Sequence, residues 1–376
     1  EAINFGDVIY NAEIGPRNIT VSNIGGGSIT IAAADVSLTG SAQFSYDDSV
    51  FPIVLESAES AAIPVFVTGT IEGPTTAMIT IEYDGEDFEI DLSANVLPDG
   101  LVVIGDGTVQ NYLPVNIWYG YSYSQTLYLT DEILTQDRQI EKVAYHWNGV
   151  AAGINSDQWT MYIGHTDKTA FATTSDWIDV DDLTLVYEGI VDIPAENTWI
   201  EIEFDTPFVY NGVDNLVIAT RETRPGNDGN SAFFYTNPST TGRSLRCHSD
   251  SIVHDPVDPP TGTLTAAHPN IRMYFGDIPA DPVLAVSPNV DEWDFGLKPR
   301  FSETTKAFTI ANNGAGTLTV NNVTVTGDGF ALEEAFVSVE LESAESVVIT
   351  VVYNPDEAGD YEGLLAITSS HGSIEV

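Results

Sequence analysis

Apolar and polar residues alternate with period two along most of this chain, in short runs rich in Val, Ile, Thr, Tyr and Phe. Toward the N-terminus the runs fall at residues 18–23, 28–33, 50–55, 61–68, 77–83 and 88–96, broken by Gly, Asn and Asp. Such alternation sends one face of a strand into a core and the other into water. Asp84-Gly85 and Asn313-Gly314 supply residues that tolerate the positive φ of tight hairpins. No stretch of about a dozen residues shows a 3.6-residue apolar period with caps, so the pattern predicts strands rather than helices.

The pattern at the N-terminal end returns at the C-terminal end. Asn4-Phe5-Gly6 answers Asp294-Phe295-Gly296, and residues 19–31 answer residues 308–320 position for position. Leu55-Glu56-Ser57-Ala58-Glu59-Ser60 recurs unchanged as Leu341-Glu342-Ser343-Ala344-Glu345-Ser346. Shared patterning over about 95 residues predicts the same unit twice, each an immunoglobulin-like β-sandwich of about seven strands.

Three features recur in a known family: an opening Phe-Gly, the pattern Ile-x-Asn-x-Gly-x-Gly-x-Leu-x-Val from Ile310 to Val320, and Val351-Val352-Tyr353-Asn354-Pro355 followed by Gly359. In these the termini resemble the Hydin-like (ASH-type) immunoglobulin-like domains, tandem modules of large secreted bacterial proteins. The N-terminal copy departs at Val65-Phe66-Val67-Thr68-Gly69, which has no Pro. The resemblance implies spacing, presentation or adhesion outside the cell or at the bacterial cell surface. Aligning the copies sets Val376 against Ile90, so the last strand is expected to be cut short and the polypeptide to continue into further domains.

Residues 99–280 are different. They hold five of the six Trp, 11 of the 16 Tyr and five of the six His. Strand-like runs at 125–129, 140–147, 159–164, 183–187, 199–204, 215–220, 232–235 and 270–275 fit a larger jelly-roll-like β-sandwich better than a barrel. Turn-rich segments at 97–100 and 278–282 give expected domains of 1–98, 99–280 and 281–376. The motifs Tyr119–Gln125, Trp159–His165, Pro207–Leu216 and Pro269–Arg272 resemble an all-β module of secreted bacterial surface proteins, one that brings no activity with it.

Charge narrows the partners. Twelve Lys and Arg against 56 Asp and Glu leave a net charge of −44, spread as −14, −17 and −13 over the three expected domains. An even coat of carboxylates repels nucleic acid and anionic membrane surfaces and suits solubility in a salty or divalent-rich medium. The sole cysteine, Cys247, rules out an internal disulfide framework and a multi-cysteine zinc site.

Two candidate sites follow. Tyr119, Tyr121 and Tyr123 would share one face of a strand, and with Trp118 and Trp177 would form a carbohydrate-stacking row. The competing reading makes the row a wall of the core. Asp176, Asp179, Asp181 and Asp182 surround Trp177, and Asn227-Asp228-Gly229-Asn230 forms a second oxygen-rich loop. These suit calcium, which takes six to eight oxygen ligands, unless they are solvated turns. Cys247 and His248, being adjacent, would point to opposite faces of a strand and cannot pair as nucleophile and base. The patterns HExxH, GxSxG, GxxxxGK[ST] and GxGxxG are absent.

The expected protein is therefore all-β, with two immunoglobulin-like sandwiches flanking a larger one. Its expected role is non-catalytic adhesion or presentation toward a glycan or another surface protein. Carbohydrate binding by the middle domain is the alternative, and an accessory region of a secreted enzyme the third.

Overall fold

The computed structural model describes residues 1–135, 138–149, 152–229 and 233–376. Asn230 of the oxygen-rich loop and Ala232 of the run at 232–235 lie outside the described residues. The fold is all-β, as the alternation requires, with no closed barrel among the described residues. It divides into two compact units, Glu1–Val103 and Ile104–Val376.

In the first unit one sheet runs Ala2–Val8, Glu86–Val96, Gly73–Tyr83, Val36–Gly40, and a second runs Glu13–Ser22, Ser60–Thr68, Phe44–Tyr46. A short pair joins Ile29–Ile31 to Ile53–Leu55. Ser60–Thr68 shows why the pattern folds this way: Ile63, Val65 and Val67 are fully buried while the residues between them are not. They meet Phe5, Phe44, Ile79 and Leu92 in one core between the sheets.

The second unit contains two further pairs of sheets. In one, Arg138–Trp147 is central, with Thr198–Tyr210 on one edge and Ile271–Gly276 and Phe234–Pro238 on the other. Its companion is antiparallel, in the order Thr184–Ile190, Gln158–Thr166, Asn215–Glu222, Tyr121–Tyr128, Ser244–Ser249, Thr263–Thr265. The Trp and Tyr excess of this region fills the space between these sheets, where Tyr145, Trp147, Trp159 and Phe234 pack ring against ring. Beyond residue 280 the order is Leu284–Ser287, Thr304–Asn312, Ser346–Tyr353, Phe330–Leu332, facing Val339–Leu341, Leu318–Thr326, Leu364–Ser369, Gly372–Glu375.

The repeated motifs build the same turn at both ends. Buried Asn23 donates from Nδ2 to the carbonyls of Gly27 and Leu55, and its Oδ1 accepts from Gly25 N. Asn312 does likewise with Gly316, Leu341 and Gly314, and also accepts from Val283 N. An amide that satisfies several backbone groups at once closes a turn the backbone alone would leave unpaired. In the identical hexapeptides Ala58 and Ala344 both take left-handed φ, 68° and 67°.

Within the second unit, the strand Thr304–Asn312 meets the sheet of the aromatic-rich region through Lys306. Its ammonium bonds the Glu188 carboxylate at 2.5 Å and lies 3.8 Å over the Trp293 ring. Asp205 stands beside them, accepting from Ser287 Oγ and from Glu188 N. Burial lowers the Lys306 pKa, opposed by Glu188 and Asp205, while burial raises that of Asp205. Of the other three lysines, Lys142 pairs with Glu201 and Lys168 with Asp176, each at 2.8 Å, and Lys298 is exposed.

Candidate functional site

The structure does not assemble the tyrosine row. A turn at Asn116–Tyr119, in which Tyr119 N bonds Asn116 O, precedes the strand, which begins only at Tyr121. Tyr123 is fully buried, on the sheet face that packs against Trp177, with ring centroids 5.2 Å apart. Tyr119 turns the other way and stacks on His248 at 3.9 Å; Trp118 joins it there with Tyr112. Tyr121 is half-buried at the start of the strand. Four of the five aromatic residues thus belong to two clusters on opposite faces of one sheet, and they do not form a single stacking platform.

Nor do the aspartates converge. Asp176 is held by Lys168 and by Ala172 N, and Asp179 caps its own turn by accepting from Asp181 N. Asp181 and Asp182 face solvent, and Asp228 is engaged elsewhere by Asn155, which donates from its backbone N and its Nδ2. Among the described residues no three Asp, Glu, His or Cys side chains form a metal-binding group. Cys247 and His248 do lie on opposite faces of Ser244–Ser249: Cys247 packs with Tyr123 and Ala219, and His248 with Tyr119. Burial pushes the Cys247 thiol up to about 12, away from a reactive thiolate.

What the fold does bring together is an open depression of about 600 Å³ lined by His165, Thr166, Asp167, Lys168, Trp177, Ile178, Asp179, Asp182 and Asp214. Trp177 is its aromatic wall, fixed by an indole N–H donated to Pro260 O at 2.9 Å and backed by Tyr123. His165 closes one end, stacked near Phe208 and Tyr210. Its Nε2 accepts from Asn211 N at 3.2 Å, so the neutral ring carries its proton on Nδ1. Burial lowers its pKa, with Asp214 opposing. An aromatic wall beside carboxylates suits a ligand with apolar C–H faces and hydroxyls.

Reading the sequence found Trp177, Asp179 and Asp182 but missed His165 and Asp214 as their neighbours. His165 ends the motif Trp159–His165, so its position was signalled while its setting was not. A second omission is Glu222, 1% exposed, whose Oε1 accepts from Arg224 N at 2.6 Å. Burial, reinforced by Asp157 and Asp228, pushes its carboxyl up to about 9. Its position in strict alternation after Ile218 and Thr220 marked it as inward-facing.

With this geometry in place, the comparisons with known proteins bear on the last quarter of the chain. Residues 282–375 match the family described as HYDIN/CFA65/VesB-like, Ig-like domain. That match covers the four-stranded sheets following Leu284 and the Asn312 turn. No curated protein matches the chain. Among solved structures, the secreted serine protease VesC from Vibrio cholerae is similar at 14% identity, over 62% of this chain and 48% of that one, with a TM-score of 0.20. The Vibrio cholerae VesB protease gives 11% identity over 67% and 96%, with a TM-score of 0.21. Surface layer protein SbsC, domains 1-6, gives 11% over 98% and 53%, with a TM-score of 0.17. The chain thus spans about half the length of VesC, and superpositions this loose transfer neither arrangement nor activity. No helix among the described residues is long and apolar enough to cross a membrane.

Proposed function

We propose that this chain is a non-catalytic, extracellular segment of a larger secreted bacterial protein. In this reading immunoglobulin-like sandwiches at residues 1–98 and 281–376 bracket the aromatic-rich sandwich and present it for adhesion or display. The observation that carries the reading is the contact at Lys306. A spacer that merely separates modules has no use for a cation held 10% exposed between Glu188 and an aromatic ring, whereas a mount that fixes a pose does. Spin labels at Thr173 and Ser343, introduced as cysteines in a Cys247→Ser background, test it. A single narrow distance distribution supports a fixed mount, and a broad one overturns it. Turnover on panels of chromogenic peptide, ester and glycoside substrates would overturn the non-catalytic part.

A second reading, carbohydrate recognition, is favoured by the depression walled by Trp177. It relocates the aromatic contact from the tyrosine row to one indole with Asp179, Asp182 and Asp214 around it. Saturable binding on a glycan array, lost in both Trp177→Ala and Asp214→Asn, supports it. Binding unchanged in Asp214→Asn removes it.

A further inference from the structure

Acids outnumber bases 56 to 12 in this chain, yet the Arg246 side chain has no hydrogen bond and no carboxylate partner among the described residues, and its Nε is buried without an acceptor. Arg224 and Arg243, by contrast, meet Asp157 and Glu132. Burying a charge that nothing pairs costs stability. Burial lowers the Arg246 pKa, opposed by Tyr112 and Tyr119.

Aromatic rings frame this cation. The guanidinium lies 5.5 Å over the Tyr112 ring. Ring centroids are 6.1 Å apart for Tyr112 and Trp118, 6.0 Å for Trp118 and Tyr119, and 3.9 Å for Tyr119 and His248. His248 follows Arg246 by two residues on Ser244–Ser249, so both project from one face of that strand. The Nδ1 of His248 is buried and likewise has no partner among the described residues.

The rings are fixed from beneath. Residues 113–117, which separate Tyr112 from Trp118, are all buried. Ser124 Oγ donates to Pro114 O at 2.6 Å, Asn116 N donates to Ser122 Oγ at 3.1 Å, and Asn116 Oδ1 accepts from Trp118 N. Ser122 and Ser124 stand opposite His248 and Arg246 in the strand register, so the residues that seat the segment neighbour the cation it covers. Anchored in this way, the segment brings the rings at its two ends together beside Arg246, and Trp118, 44% exposed, opens the group to solvent.

We infer that Arg246, framed by Tyr112, Trp118, Tyr119 and His248, is a binding site for the carboxylate of an acidic sugar, a uronate or sialate residue of a glycan. The guanidinium fork matches a carboxylate with two parallel hydrogen bonds, and the rings receive the C–H face of the sugar that carries it. Rings already held in place lose little freedom when the ligand arrives. The site is on the opposite sheet face from the depression walled by Trp177 and stands independently of that reading.

The test titrates the 376-residue chain with uronate- and sialate-bearing oligosaccharides, each beside its carboxyl-reduced neutral form, and follows tryptophan fluorescence and calorimetry. Saturable binding of an acidic oligosaccharide, about tenfold or more tighter than its neutral form, is expected. Arg246→Gln should weaken it about 10–100-fold, and Arg246→Lys should restore only part of the loss, because an ammonium lacks the fork. Trp118→Ala, at an exposed ring, should weaken it about tenfold with the melting temperature unchanged, which separates lost binding from lost fold. Absence of saturable binding across the acidic oligosaccharides, equal binding of acidic and neutral forms, or binding indifferent to Arg246→Gln overturns the inference. Binding lost in Trp177→Ala but kept in Arg246→Gln and Trp118→Ala also overturns it, and leaves the carbohydrate reading of the depression standing.

Discussion

Replacing Lys306 by Met keeps the length of the side chain and removes its charge, leaving Glu188 and Asp205 without their cation. Removing one partner of a fully buried ion pair costs about 3–5 kcal/mol. Glu188 is 25% exposed and so partly solvated, which reduces the expected loss to about 2–3 kcal/mol. The contact over Trp293 contributes about 0.5–1 kcal/mol, much of which the Met thioether recovers against the ring. At about 2–4 °C per kcal/mol for a unit of this size, the melting temperature of the second unit should fall by about 5–10 °C. Scanning calorimetry reads this directly, and it also shows whether one transition splits into two as the sheets on either side of Lys306 lose their coupling. Glu188→Gln completes a double-mutant cycle in which the combined loss should be smaller than the sum of the single losses. A Lys306→Met melt within about a degree of the parent, with strictly additive losses, would show that the contact is incidental and would remove the rigid-mount reading with it.

Four further outcomes are expected. Glu222 binds its proton more tightly folded than unfolded, so stability should fall as pH rises from the ordinary carboxyl range through about 9; Glu222→Gln should remove that slope and gain on the order of 5 kcal/mol at pH 8, measured by urea unfolding. Asn312→Ala should cost about 2–3 kcal/mol in chemical denaturation and exceed Asn23→Ala, which loses one bond fewer. Ala344→Gly should stabilise by about 0.5–1 kcal/mol in the same assay, because glycine takes the left-handed φ without a Cβ penalty. Chelator should leave the melting temperature unmoved, since Asp176 and Asp179 are engaged by Lys168 and by backbone N–H groups and Asp181 and Asp182 face solvent; a drop would place a bound cation there after all.

How far the sequence could be read depended on how local the determining forces are. Alternation in segments such as 61–68 and 199–204 is settled within the segment, and the strands formed where it lay. The Asp84-Gly85 hairpin was legible for the same reason, both residues taking positive φ, whereas at Asn313-Gly314 neither does and Gly316 takes it instead. The tyrosine row failed through a local detail. Asn116 holds a turn by accepting from Trp118 N and by donating its own N–H to Ser122 Oγ, and this starts the strand two residues later than alternation alone implies. The aspartates failed for the opposite reason: whether acids converge depends on loops distant in sequence, and Asp228 lies against Asn155 rather than Asp176. The pairing of Lys306 with Glu188 spans 118 residues, and no pattern within either strand marks it.

The lysine pairings also decide how this molecule meets reagents. With Lys142, Lys168 and Lys306 held in ion pairs, Lys298 is the one lysine with no carboxylate partner among the described residues. Amine-directed crosslinking should therefore react first at Lys298 and more slowly at Lys142, Lys168 and Lys306. Trypsin should find an easy first cut after exposed Arg300, while Pro299 protects the bond after Lys298.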